Sequence, residues 1–397
     1  MVTVGHALRA DDLRAVLAPF GDARPLPRDA YVDPRALELE TRTIFESTWI
    51  PVAHEADLEG PGAWVRAPIR GEHLVIVRGA DLELRALHAV CSHRGTLLCE
   101  GERGRFDRLE IECPYHGFTY RTDGTLQRAP GAPKLPPASE LGLQCARVAS
   151  FAGVVFVCLD PLAPNLFGGD PSRGAEGQEA DAHALPPWLG RAKLSTLARA
   201  RRTDHEVVAN WKLIVANFQE SHHFRLVHPS LEAKTPWGQS KSIIESQQWL
   251  GGEMQLRAGA ETVSETGMLS GRPFVAAEED RRRVLDALVL PLWLTSLQPD
   301  YLLTYRLAPL AIDRTLVVAE IHVHASVVQR RESTGDLFSF WDRTNAEDRQ
   351  ICERQQRGLS STRARPSVYA TSEDGLHAFE RWVAARYLRA MGASETA

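Results

Sequence analysis

Two five-residue stretches, Cys-Ser-His-Arg-Gly at 91–95 and Cys-Pro-Tyr-His-Gly at 113–117, each bring one thiol and one imidazole into a short loop. Cys91 and His93 are separated by one residue, Cys113 and His116 by two, and positions 94 to 112 lie between the pairs. Four such donors on two loops call for a metal. Two Cys and two His suit a tetrahedral zinc. They also suit a [2Fe–2S] cluster in which the thiolates hold one iron and the imidazoles the other. Zinc modules commonly group the two Cys apart from the two His, whereas here every loop carries one of each, so each loop can serve both irons; the interleaving favours the cluster. Gly95 and Gly117 follow the His of their loops, where a residue without Cβ lets backbone N–H groups approach the cluster sulfurs.

A chain of 397 residues, 44% hydrophobic and 24% charged, can build two domains with a core each. The formal charge of −5 carries no basic excess, which argues against nucleic acid as a main partner. The start, MVTVGHALRADD, lacks a positive segment followed by an apolar one, and the longest apolar run, FAGVVFVCL from Phe151, is strand-sized. Neither export nor membrane insertion is expected. Six Cys, two of them given to metal, make no disulfide framework, and a reducing cytoplasm is the expected location.

Asp33-Pro34 opens DPRALELETRTIFESTW as an N-cap followed by Pro at the first helical position, which predicts a helix; the N-terminal segment that holds it, 1–48, is expected to pack on the larger C-terminal domain. From 49 to 160 short alternating runs such as HLVIVRG and ELRALHAV, with a turn at Asp123-Gly124, predict a small all-β domain holding both metal loops. Residues 161–187, rich in Pro, Gly, Ala and charge, read as a linker or mobile loop. The remainder, 188–397, mixes strands (SIIESQQWL, YLLTYRLAPL, TLVVAEIHVHASV) with a helix from about Asn210 and one or two after Gly335. The fold class expected is α+β.

That larger domain contains NWKLIVANFQESHHFRLVHPSL, with three His within seven residues. Asn217, Glu220 and His223 recur every three residues, which on a helix puts them on neighbouring faces. His228 follows His223 by five, a spacing that shares no face in a continuous helix, so the helix is expected to loosen before Pro229. By themselves such His are more often surface or satisfied core than ligands.

Together the two constellations resemble the catalytic subunit of the Rieske non-haem iron oxygenases, the ring-hydroxylating oxygenases. CSHRG and CPYHG are similar to that family's Rieske signature, and Asn-x-x-Glu-x-x-His-x4-His after Asn-Trp-Lys to its catalytic motif. The resemblance extends from FESTWIPVAH to the late helix, nearly the whole chain. It implies a [2Fe–2S] cluster on Cys91, His93, Cys113 and His116, and a mononuclear Fe(II) on His223 and His228. The third iron ligand is implied to be a carboxylate of NAEDRQICERQQRGLSS, which offers Glu347 and Asp348; the downstream CERQQRGL selects Asp348. His222 is expected to give a hydrogen bond behind the ligands rather than to bind iron. Respiratory Rieske proteins add a disulfide between the cluster loops, and Tyr115 stands where that Cys would be. The lower-potential, oxygenase-type cluster is therefore implied, with Cys99 a buried small hydrophobe. The chain departs from the family's usual Cys-Tyr-His at Ser221-His222-His223, and from an acidic residue at Ala216.

The resemblance further implies a helix-grip catalytic domain and a homotrimer in which Glu220 bridges the cluster of one protomer to the iron of the next. Electrons would come from an NAD(P)H-dependent reductase with flavin and iron–sulfur centres, with or without a ferredoxin, since no GxGxxG fingerprint is present here. Glu220, where many aromatic dioxygenases have Asp, resembles the enzymes acting on carnitine, choline and betaine, and tilts the expectation toward monooxygenation or oxidative demethylation of a quaternary amine with O2. Trp237, Trp249 and Trp293 lie in the catalytic half, but buried Trp is usually core, and none is assigned to a cation cage. The competing readings are an aromatic-ring hydroxylating dioxygenase and, outside enzymes, a Rieske electron carrier.

Overall fold

The computed structural model describes residues 8–132, 134, 138–168, 185–275, 277–331 and 333–395. The chain divides into two compact units, residues 44–178 and residues 1–43 with 179–397.

The first unit is built from short antiparallel strands. Seven form a sheet in the order Ile50–His54, Val154–Cys158, Cys145–Phe151, Leu84–His88, Glu72–Arg78, Ala63–Ile69, Arg103–Arg105. Three more, Glu110–Glu112, Thr119–Arg121 and Leu126–Arg128, make a small meander. The turn at Asp123-Gly124 closes its second hairpin: Gly124 has φ +88, and the Asp123 carboxylate accepts from Thr125 N at 2.8 Å. FAGVVFVCL is not one strand. Ala152 and Gly153 take positive φ (51 and 79) and fold the run into a hairpin between Phe151 and Val154, a reversal that hydrophobicity alone conceals. Within 161–168, Phe167 is buried with its ring edge-on to Phe151 and Phe156. Of the stretch read as a linker, 169–184 lies outside the described residues, and the helix Pro187–Arg191 begins at its end.

The second unit carries a seven-stranded antiparallel sheet in the order Leu197–Val207, Arg314–His324, Tyr301–Ala311, Trp293–Leu297, Arg283–Val289, Trp249–Gln255, Lys241–Ile243. SIIESQQWL is thus the ends of two strands and the turn joining them. Helices Trp211–Phe218, Gly335–Leu359 and Asp374–Ala390 pack against this sheet. Phe224, Met254, Val284, Tyr301, Leu303, Phe340 and Trp341 share one buried cluster there. Asp33 caps the helix Pro34–Glu40 as its sequence predicts, its carboxylate accepting from Arg35 N, and the chain continues as a π-turn over Thr41–Phe45.

Asn-Trp-Lys at 210–212 sets the position of the next helix. Asn210 caps Trp211–Phe218, its side chain accepting from Lys212 N, and its own N–H donates to Gln356 Oε1 at 2.9 Å. Trp211 Nε1 donates to Glu40 Oε2 at 2.7 Å, while Lys212 Nζ and the Tyr387 hydroxyl donate to Glu40 Oε1. Glu40 and Lys212 are fully buried, so each charge depends on the other to offset its lost hydration.

Candidate metal centres and the cavity beside one of them

The two cluster loops have the same backbone closure. In the first, Gly95 N donates to Cys91 O at 3.0 Å and Cys91 N to Thr96 O at 2.8 Å; in the second, Gly117 N donates to Cys113 O at 3.1 Å and Cys113 N to Phe118 O at 2.7 Å. Gly95 and Gly117 sit at φ +73 and +71, a region that residues with a Cβ rarely occupy, and this is what demands glycine at both ends. Cys91 and Cys113 are buried members of the unit's core, whereas His93 and His116 are exposed, their rings 4.8 Å apart. The thiols thus pair inside and the imidazoles pair at the surface, the division a two-iron cluster needs. Burial opposes ionisation of the Cys113 thiol. Hydrogen bonds from Tyr115 N–H, the Cys91 side chain, His116 N–H and the Thr96 side chain outweigh it and hold its pKa below the ordinary thiol value. The Tyr120 hydroxyl lies 3.2 Å from Cys91 Sγ. Cys99 is free and buried, and burial pushes its thiol up to about 11, as its assignment to core requires.

The second constellation corrects one expectation about local structure. No single helix carries Asn217, Glu220 and His223: the helix ends at Phe218, Glu220 lies in the connection, and a new turn, Phe224–Val227, starts after His223. His228 follows with φ −125 and ψ 67, ahead of Pro229–Glu232. This double break turns His223 and His228 toward one point, with ring centroids 5.1 Å apart.

Asp348, from the middle of the helix Gly335–Leu359, meets them there. Its Oδ1 is 2.8 Å from His228 Nε2 and 3.8 Å from His223 Nε2, and the three donor atoms all lie within 4.8 Å of one another. Three donors on one face of an octahedral ion, with bonds of about 2.1 Å at right angles, would stand about 3 Å apart, so the arrangement fits two His and a carboxylate on a single metal. Each of these groups is also gripped from behind. Glu220 Oε1 is 2.5 Å from His223 Nδ1, Glu347 Oε2 is 2.7 Å from His228 Nδ1, and Asn217 Nδ2 donates to Asp348 Oδ1 at 2.6 Å. A carboxylate can only accept, so both Nδ1 atoms carry the proton and both Nε2 atoms are presented to the centre. Burial works against charge on His228, but Asp348 and Glu347 outweigh it and raise its pKa.

Glu347, considered from the sequence only as a possible ligand, is therefore the partner of His228. His222 gives no hydrogen bond behind the ligands: it is exposed and turns its ring to Trp237, 5.0 Å away. Asp348 pairs with neither Arg349 nor Arg354, and Glu220 is engaged by His223 rather than by Arg225.

A cavity of about 120 Å³ opens on the triad. Phe218, Phe224, Tyr305 and Trp341 supply its aromatic faces, and Leu231, Met254, Val263, Val284, Leu294 and Leu303 much of the rest. Trp237, Trp249 and Trp293 do not line it. Asp286 and Gln298 stand in the same wall, and nothing but their place as polar residues within or just past apolar strands would have marked them in the sequence.

Residues 48–147 match the family described as Rieske [2Fe-2S] domain, and residues 194–389 the family described as Ring hydroxylating alpha subunit (catalytic domain). The chain belongs to the Rieske non-haem iron oxygenases. Its cofactors are accordingly one Rieske [2Fe–2S] cluster and one mononuclear iron, and the oxygenase works with a reductase that supplies electrons. It is 26% identical to the glycine betaine monooxygenase oxygenase subunit of Pseudomonas aeruginosa (strain UCBPP-PA14), over 92% of this chain and 90% of that one. It is 35% identical to the carnitine monooxygenase oxygenase subunit of Escherichia coli (strain K12), over 52% of this chain and 53% of the other. In fold the Rieske oxygenase is similar to the quaternary ammonium Rieske monooxygenase CntA, with TM-score 0.76 and 23% identity over 96% of this chain and 99% of that one. Naphthalene 1,2-dioxygenase from Rhodococcus sp. shares the fold with TM-score 0.69 and 19% identity, over 92% and 94%. Among the described residues no helix is long and apolar enough to cross a membrane.

Proposed function

We propose that this chain is the oxygenase component of a monooxygenase that hydroxylates a carbon on the nitrogen of a small quaternary amine. The observation that carries the reading is the cavity on the triad: aromatic, otherwise largely apolar, and about 120 Å³. Aromatic faces attract a quaternary ammonium, and a cavity of roughly 150 Å³ accommodates benzene, so a space of this size suits a compact amine better than a polycyclic ring system. Relatives named for glycine betaine and carnitine point the same way.

His223, His228 and Asp348 would hold the iron, and Cys91, His93, Cys113 and His116 the cluster. Bound iron supplies activation of O2, with electrons drawn singly from the cluster. This chain's residues do the rest. Glu220 and Glu347 keep the Nδ1 protons of the two imidazoles in place, Asn217 steadies the carboxylate, and the apolar wall excludes water from the reacting methyl. One oxygen of O2 enters the C–H bond and the other leaves as water, with two electrons and two protons taken from NAD(P)H and solvent. The N–CH2OH product then breaks its N–C bond to give the less substituted amine, formaldehyde and a proton.

The protein works as a homotrimer in this reading, with a flavin and iron–sulfur reductase, or a ferredoxin, loading the cluster. Glu220 lends its free lone pairs to a cluster-ligating imidazole of the next protomer. Substrate-dependent O2 and NADH consumption across quaternary amines and aromatics, with products identified, tests the reading. Formaldehyde in step with NADH from one amine class supports it, and dihydroxylated aromatics as the coupled product overturn it. With Glu220→Gln both centres load, yet substrate-dependent reoxidation of the cluster slows by orders of magnitude in rapid mixing; unaltered reoxidation removes the bridge.

A further inference from the structure

The cavity wall contains a carboxylate with no countercharge. Strands Arg283–Val289 and Trp293–Leu297 pair antiparallel with Asp286 directly opposite Ser296, and Gln298, two residues on, shares that sheet face. The Ser296 hydroxyl bonds the Asp286 carboxylate and also accepts from Gln298 Nε2 at 3.0 Å. Asp286 Oδ1 is buried and has no hydrogen-bond partner, and Gln298 Oε1 is left the same way.

Leaving a buried acceptor unmade is costly, and more so for a charged one. Of the basic side chains near this part of the sheet, Arg283 pairs with Glu253 and Asp280, and Arg306 with Glu320; His205 and Arg349 line the same cavity, but among the described residues neither forms an ion pair with Asp286. Among the described residues Asp286 forms no ion pair. Its enclosure raises its pKa to about 7, against the opposing hydrogen bond from Ser296, so the protein itself does little to stabilise the anion. Tyr305, another wall residue, feels the charges of both Asp348 and Asp286, which places this carboxylate within electrostatic reach of the triad side of the cavity.

The geometry points to Asp286 as the specificity-determining residue of the cavity, a carboxylate kept unpaired so that the positively charged nitrogen of an amine substrate supplies its missing countercharge. The assignment rests on the amine-monooxygenase reading above and deepens it. Aromatic faces alone hold a cation and a neutral tert-butyl group of the same shape with a modest difference, whereas a buried carboxylate separates them sharply.

The test measures binding to oxidised holoenzyme without O2, by calorimetry, for two isosteric pairs: choline against 3,3-dimethylbutan-1-ol, and glycine betaine against 3,3-dimethylbutanoate. Within each pair only the charge on the quaternary centre changes. The wild-type protein should prefer the cation by at least about tenfold in at least one pair, and Asp286→Asn should reduce that preference to within about threefold with both metal centres loaded. No preference in the wild type for either pair overturns the assignment, and this arm needs no variant to fold. An undiminished preference in Asp286→Asn overturns it as well. Turnover is scored apart: loss of preference in the variant without amine product from the wild type keeps Asp286 and removes the monooxygenase reading, while amine product with an unchanged preference does the reverse.

Discussion

Replacing Glu347 by Ala isolates the support behind one ligand without touching the ligand. Glu347 Oε2 lies 2.7 Å from His228 Nδ1, and the His228 side chain is only 1% exposed, so no water can readily take the place of the lost carboxylate. The ring is then left with a buried N–H that has no acceptor and with less basicity at Nε2. Partners of this kind typically change metal affinity by about 10–100-fold, or roughly 1.4–2.7 kcal/mol. Because Glu347 itself is 27% exposed, part of its charge effect is screened. The unmet N–H remains in full, and Glu347→Ala should fall in the upper half of that range. Glu347→Gln keeps an acceptor oxygen and loses only charge, so about tenfold is expected. Anaerobic titration of iron-depleted protein with Fe(II) against a competing chelator gives the dissociation constant, with cluster absorbance as an internal measure of intact chains. Glu353→Gln, on the same helix but bonded to Val208 N, serves as the control. A Glu347→Ala constant within twofold of the wild type, or equal to that of the control, would refute the support assigned to Glu347.

Four further substitutions have expected outcomes. His93→Ala should abolish the EPR signal of the reduced cluster yet keep the mononuclear iron, and His228→Ala should keep the signal and form no product; full turnover by the latter would show the iron site to be misassigned. Tyr120→Phe removes the hydroxyl beside Cys91 Sγ. A hydrogen bond about 1 kcal/mol stronger in the reduced cluster moves a one-electron midpoint by roughly 40 mV, so the potential should drop by about that much in spectroelectrochemical titration, and an unmoved midpoint denies that the hydroxyl donates to sulfur. Asp286→Asn should stabilise the ligand-free protein, and increasingly so as pH rises. Burial lifts this acid from 3.8 to about 7, so the folded state holds the proton more tightly and loses stability between those values as ionisation proceeds. At about 1.36 kcal/mol per pKa unit the upper bound of the gain is on the order of 4 kcal/mol above pH 7. Thermal unfolding at pH 5 and pH 8 checks it, and an equal difference at both refutes the proposed cost.

The features legible from the sequence are those settled within a few residues of themselves. Each cluster loop closes on its own backbone between Cys91 and Thr96 or Cys113 and Phe118, with glycine at the one position of positive φ, so spacing alone announces it. The cap at Asp33 and the turn at Asp123-Gly124 are local in the same way, because the group that satisfies the backbone sits two residues from the N–H it receives. Tertiary structure decided the rest. Asp348 reaches His228 across 120 positions of sequence, and Glu347 rather than solvent takes the imidazole's other nitrogen because the helix that carries both acids packs against the short turn that ends at His228. His222 and His223 are neighbours of the same type, yet the break after Phe218 sends one to solvent and the other to the triad. Asp286 reads in VLDALVL as a polar interruption of a strand. Only the pairing of that strand with the next, and the cavity it then faces, leaves one oxygen of its carboxylate enclosed and without a hydrogen-bond partner, because burial and countercharge are properties of what surrounds a residue in space.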